Sequence, residues 1–156
     1  MDAIALRPLH GGERRPVLEV FAGLSDRSRR LRFLGAKPRL SDRDLELLAD
    51  VGCCGREAVV AVEQETGRPI GIGRYVRDAN APEAEIAFEV VDEWQGRGVG
   101  TRLVLELARL ARAEGVLRMR ADVERSNRAA LALVRGLGEV ISSRSEGSAV
   151  ELVVCL

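Results

Sequence analysis

Apolar positions along this chain recur at two periods, and the change from one to the other marks where elements begin and end. Residues 3–8 read as a short strand closed by Pro8 and the Gly11-Gly12 turn. Val17, Val20, Phe21 and Leu24 then fall on one helix face, with Pro16 tolerable in the first turn and Gly23, Ser25 and Asp26 at the end. A second helix is predicted from Ser41: Asp44 completes a capping-box spacing, Leu40 can staple onto Leu45, and Leu45, Leu48 and Ala49 make a buried stripe up to Gly52. Between these helices, 25–33 sets Arg27, Arg29, Arg30 and Arg32 around Leu31 and Phe33. It reads as two apolar anchors flanked by solvated arginines, with an anion-binding or acceptor-side role as the alternative.

From Glu57 onward the period shortens. Residues 58–62 and 70–77 are β-rich runs joined across Gly67-Arg68-Pro69, which predicts a hairpin. Residues 85–91 add a third strand, with Ile86, Phe88 and Val90 on one face and Glu85, Ala87 and Glu89 on the other. A long helix follows on Leu103, Leu107 and Leu110, stopped by Gly115, and 117–123 alternates like a half-buried strand. Ser126 or Asn127 caps a helix carrying Ala130, Leu133, Val134 and Leu137, and strands 139–144 and 149–156 close the chain. This order predicts a single α/β domain in which a mixed sheet carries helices on both faces.

At 156 residues the chain has room for one ordinary domain. Acidic and basic side chains balance at 24 each, so no overall field draws it to nucleic acid or to a membrane, and neither is expected as a partner. Lys37 is the only lysine; the arginine excess suits phosphate contacts, but a compositional bias of the source genome is the better account of it. Cys53 and Cys54 are adjacent and Cys155 is remote, so no disulfide framework is expected, and with no leader pattern or apolar span a cytoplasmic setting is. One histidine, His10, and no Cys/His cluster leave no expected metal site. A homodimer paired through the C-terminal strands remains open.

The chemistry concentrates at the join of the third strand and the long helix. In Gln95-Gly96-Arg97-Gly98-Val99-Gly100 three alternate glycines remove side-chain bulk just where a helix begins, and Thr101 follows. Unpaired first-turn N–H groups and the positive end of the helix dipole suit a diphosphate. A dinucleotide loop would also follow a strand, and Asp122 sits near the distance of a ribose-binding acid. Against that, Thr101 replaces the third glycine, four residues separate strand from turn, and too little chain remains for the further parallel strands. No Gly-Lys-Ser/Thr follows, which rules out a Walker loop.

The six-residue turn matches the Q/R-x-x-G-x-G/A signature of the GNAT family of N-acetyltransferases, and the resemblance extends further. The strand with Ala84-Glu85-Ile86-Ala87-Phe88, the Asp92-Glu93-Trp94 lead-in and Val123-Glu124-Arg125-Ser126-Asn127 before the last helix are similar at matching spacing. The segments 25–33 and 40–45 resemble bacterial GNAT domains related to protein lysine acetyltransferases. The resemblance covers nearly the whole chain and implies a mostly antiparallel mixed sheet, acetyl-CoA as cosubstrate, and transfer of its acyl group to a primary amine on a small molecule or a protein lysine.

The resemblance also assigns roles. The signature, Gln95 with the N–H groups from Gly96 through Arg97, Gly98, Val99 and Gly100 to Thr101, would hold the diphosphate, with the Arg97 side chain either on a phosphate or in solvent. The backbone of Phe88, Glu89, Val90 and Val91 would pair with the pantetheine arm, and Asn127 would meet that arm from the other side as well as capping its helix. Glu85 is the candidate general base, with Glu89 as substitute, and a main-chain N–H near Val90 would receive the oxyanion. Where many relatives carry a tyrosine as proton donor, this chain has Val134, and its only tyrosine, Tyr75, lies in another strand. That departure leaves open an acyl-CoA-binding module without turnover.

Overall fold

The structure, a computed structural model, describes residues 3–156. Seven strands form one sheet in the order β1-β2-β3-β4-β5-β7-β6. The first four, β1 (Ile4–Pro8), β2 (Arg56–Glu63), β3 (Pro69–Arg77) and β4 (Glu83–Val90), run antiparallel to their neighbours. The remaining three are β5 (Arg118–Glu124), β6 (Glu139–Glu146) and β7 (Ala149–Cys155), again antiparallel among themselves, with β7 in the middle. The two halves meet at β4 and β5, which are parallel. A parallel pair needs a crossover, and the long helix α4 (Val99–Ala113) supplies it.

Helix α4 lies across the centre of the sheet because β3 lets it come close. A Cβ on Gly73 would stand 2.7 Å from Leu107 Cδ1, so any larger residue there would push the Leu107 side chain aside. Leu103, Leu107, Ala108 and Ala111 are buried there in one core with Met119 and Leu152. Helix α5 (Arg128–Arg135) packs beside α4. The opposite face carries α1 (Arg15–Ala22), whose Val17, Val20 and Phe21 are buried, and α3 (Asp42–Leu48). In α3 both halves of the capping box form: Ser41 Oγ accepts from Asp44 N at 3.1 Å, and Asp44 Oδ2 accepts from Ser41 N at 2.8 Å.

One helix departs from the expected order. Residues 25–33, read from sequence as apolar anchors between elements, form α2 (Asp26–Phe33), capped by Ser25 and ended by Leu34 in the left-handed region at φ 56°. Hydrophobic periodicity could not disclose it, because no residue of α2 is buried. The helix lies over the open seam between β4 and β5 instead of on the core, and the legible signal was Ser25 as an N-cap, three residues before Ser28. Elsewhere the predicted elements stand within a few residues of their expected bounds.

Candidate functional site

The seam between β4 and β5 builds the site. Register pairs run from Glu83 opposite Arg118 to Glu85 opposite Arg120 and stop there. Strand β4 continues to pair with β3 as far as Val90, and β5 with β7 as far as Glu124. Each strand therefore keeps one edge open past the last shared pair, and a cleft opens between them. Two adjoining cavities fill it, of about 310 and about 230 Å3, sharing Leu31, Arg32, Phe88, Asn127 and Ala130 as common walls.

The larger cavity ends on the glycine turn. Gly96 and Gly98 have φ 72° and 85°, which an L side chain rarely adopts, and a Cβ on either would meet nothing within 4 Å. Space above them is therefore open to another molecule. Gly98 is the N-cap of α4 with no side-chain cap, and the first main-chain bond into the turn comes from Arg102 N to Gly98 O at 3.1 Å. That geometry leaves the N–H groups of Val99, Gly100 and Thr101 facing out of the helix end, where the dipole favours an anion. Gly100 serves a different end from its neighbours: its Cβ would stand 3.0 Å from Leu133 Cδ1 of α5.

The polar side chains of the signature mostly tie the turn to α2. Gln95 Nε2 donates to Val90 O at 2.9 Å and to Ser28 Oγ at 3.2 Å. Asp92 Oδ1 accepts from Ser25 N at 3.1 Å. Burial opposes ionisation of Asp92, but hydrogen bonds from Ser25 and Ser28 outweigh it and hold the carboxyl below the usual range. Arg97 folds back, its guanidinium carbon 3.8 Å from the centre of the Trp94 ring. Asn127 caps α5, its Oδ1 accepting from Ala130 N at 3.3 Å, and the residue borders both cavities.

The two candidate carboxylates have opposite surroundings. The Glu89 side chain is 7% exposed, and Oε2 accepts from Arg32 Nε at 2.5 Å, with Arg74 Nη2 at 3.9 Å from Oε1. Arg74 is itself buried, donates through Nη1 to Leu48 O, and has its pKa pushed down to about 10 by burial, against the supporting charge of Glu89. Glu89 thus lies between two guanidinium groups and fastens α2 and α3 to the sheet. The Glu85 side chain is 48% exposed on the smaller cavity, where Oε2 accepts from Arg120 Nη2 at 2.6 Å.

Asp122, two residues past Arg120 on β5, faces the same cavity and was visible in sequence only as a possible ribose acid. Burial first, then the charge of Glu85, raises its pKa, with Arg120 opposing. The strand reading did carry a signal for it, since Arg118, Arg120 and Asp122 alternate as the polar face of 117–123. The other walls are apolar, from Phe33, Leu34, Ala87 and Val123. Val134 is fully buried and borders neither cavity, and Tyr75 lies in the core beneath α4. Hydroxyls at the larger cavity come instead from Ser28 and Thr101.

A sheet split between parallel strands, with a helix beginning at the mouth of the split on a glycine turn, defines an acyl-CoA-dependent acetyltransferase fold. Residues 27–138 match the model of the acetyltransferase (GNAT) family, and the chain belongs to that family, whose members use acetyl-CoA. It is 32% identical over 139 residues to acetyltransferase PA5475 of Pseudomonas aeruginosa, covering 88% of this chain and 75% of that one. It is 38% identical over 97 residues to acetyltransferase Pat of Mycolicibacterium smegmatis, which covers 62% of this chain and 29% of that longer protein. Among solved structures, the GNAT domain of S. lividans PAT superposes with a TM-score of 0.85 at 28% identity, over 99% of this chain and 97% of that one. The protein is therefore an acetyl-CoA-dependent N-acetyltransferase, and the reading as a dinucleotide-binding fold falls with the sheet's single parallel pair. Among the described residues no helix is long and apolar enough to cross a membrane.

Proposed function

We propose that the chain transfers an acetyl group directly to an alkylammonium acceptor, with a protein lysine as the acceptor that segments 25–33 and 40–45 favour. The observation that carries this reading is the end of β4–β5 pairing at Glu85, which puts a carboxylate at the apex of a cleft whose other end is the glycine turn. The N–H groups from Gly96 to Thr101 hold the diphosphate, the open main-chain edge of Phe88 to Val91 lines up with pantetheine, and the Asn127 amide donates from the facing wall. The smaller cavity takes the acceptor: its apolar walls suit an alkyl stem, and Glu85 with Asp122 suits the ammonium head.

Glu85 then removes the proton that blocks the amine's lone pair. Glu89 is committed elsewhere, its carboxylate oxygens taken up by Arg32 and Arg74. A main-chain N–H near Val90 receives the developing oxyanion. With an aliphatic side chain at 134, the thiolate leaves without a tyrosine donor and takes its proton from water, which its stability near neutral pH permits.

The test is release of free coenzyme A from acetyl-CoA with a lysine-containing peptide and a set of alkylamines. Turnover that depends on Glu85 supports the reading. Full activity in Glu85→Gln, or no turnover on any amine, overturns it.

A further inference from the structure

The two cavities of the cleft share Arg32 as a wall, and its guanidinium is only partly used. Nε donates to Glu89 Oε2, while neither terminal nitrogen makes a hydrogen bond among the described residues, and neither is sealed from solvent. Arg32 is carried by α2 over the seam, so it stands where the cavity that ends on the glycine turn passes into the cavity that holds Glu85. Leu31, Phe88, Asn127 and Ala130 complete that junction.

Charge around the junction does not balance. Glu89 is one carboxylate between two guanidinium groups, Arg32 and Arg74. Arg74 is 6% exposed, and its Nε and Nη2 have no hydrogen-bond partner among the described residues; Nη2 comes no nearer than 3.9 Å to Glu89 Oε1. Excess positive charge so enclosed is unfavourable, and a further anion beside the group would offset it. The next carboxylates, Glu85 and Asp122, border only the smaller cavity, and Glu85 is already held by Arg120. The junction is therefore the cationic part of the cleft, and the acidic part lies beyond it.

With the diphosphate on the glycine turn and the amine at Glu85, the acyl group spans this junction. We propose that, beside acetyl-CoA, the chain takes coenzyme A thioesters of short dicarboxylic acids as acyl donors, the free terminal carboxylate being held by the Nη groups of Arg32. This rests on the acceptor reading proposed for the smaller cavity. Glu89 fixes Arg32 through Nε and leaves the edge formed by Nη1 and Nη2 to the ligand, and two parallel donors in one plane match a carboxylate. The transfer balances as it does for acetyl: the amine gives its proton to Glu85 and attacks the thioester carbon, the C–N bond forms as the C–S bond breaks, and the thiolate leaves. The terminal carboxylate is unchanged, so a lysine that began positive ends negative.

The probes are succinyl-CoA and butyryl-CoA, alike in chain length and different in the terminal carboxylate. Calorimetry on the full chain without amine should find succinyl-CoA bound on the order of tenfold more tightly. Arg32→Gln should remove that difference, and Arg32→Lys should keep part of it. With the lysine peptide, and above an enzyme-free blank, succinyl transfer should exceed butyryl transfer. Arg32→Gln should lower kcat/KM for succinyl-CoA about tenfold more than for acetyl-CoA, a ratio within one variant that cancels any loss of folded protein. Equal affinity for the two thioesters overturns the proposal, as does a succinyl preference that survives Arg32→Gln. So does an Arg32-dependent preference for carboxylate-bearing amines with acetyl-CoA when succinyl-CoA is not favoured, since the carboxylate would then belong to the acceptor. Failure of acetyl transfer on every amine overturns the acceptor reading instead, and the calorimetric comparison still decides this one.

Discussion

Glu85 and Arg120 face each other in the last register pair that β4 and β5 share, joined by a hydrogen bond of 2.6 Å, and beyond them the strands part. The pair closes the apex of the cleft and parks the Glu85 carboxylate at the smaller cavity, the one proposed for the acceptor. An ammonium arriving there would compete with Arg120 for the same oxygens. If Glu85 is the base, Glu85→Gln should lower kcat by roughly 10²–10⁴, the usual worth of a positioned base, while calorimetry finds acetyl-CoA affinity unchanged.

Glu89 should respond in the opposite way. Its side chain is nearly sealed between Arg32 and Arg74, so Glu89→Gln leaves two guanidinium groups close together with no counter-charge. Breaking such a pair from one side should destabilise the fold by about 3 kcal/mol, read in urea denaturation. Glu85→Gln, at a half-exposed site, should move the same measurement by less than about 1 kcal/mol. Two glutamates of one strand, four residues apart, would then be separated as chemistry and architecture.

Sequence carried most of the fold because the sheet and α4 are core elements with clear periods: Ile86, Phe88 and Val90 at period two, Leu103, Leu107 and Leu110 at helical spacing. It missed α2, which fully buries no residue and is held by Asp92, Gln95 and Glu89 from elements far along the chain. The glycine turn was legible for the same local reason, since positive φ and a helix start are properties of neighbouring residues. What distinguishes Glu85 from Glu89 was not, because it depends on Arg120, Arg32 and Arg74, which only the folded sheet brings near.

Asp122 gives a pH test. Folding raises its pKa, so the folded chain holds that proton more tightly than the unfolded one. Stability from this group is therefore lost as pH rises through the unfolded carboxylate range and then through the raised folded value, and the deficit persists at neutral pH. Asp122→Asn should melt at a higher temperature than the parent at neutral pH and at the same temperature near about pH 3, where both carboxyls are protonated. If Asp122 holds the acceptor's ammonium, the same variant should raise KM for the amine more than it lowers kcat.

Gly98→Ala tests the turn. At φ 85° an alanine is strained by roughly 1–2 kcal/mol, and its methyl would project into the space proposed for the diphosphate. Acetyl-CoA affinity should fall about tenfold or more, beyond any loss of stability seen in thermal melts. Gly100→Ala, whose methyl meets the movable end of Leu133, should disturb α4–α5 packing with a smaller loss of affinity.

The most direct measurement is a crystal structure of the chain with acetyl-CoA and an unreactive acceptor analogue. The diphosphate is predicted within hydrogen-bond distance of the N–H groups from Gly96 to Thr101, with Glu85 nearer than Glu89 to the acceptor nitrogen. A diphosphate bound elsewhere, or Glu89 released from Arg32 and turned to the acceptor, would contradict the account.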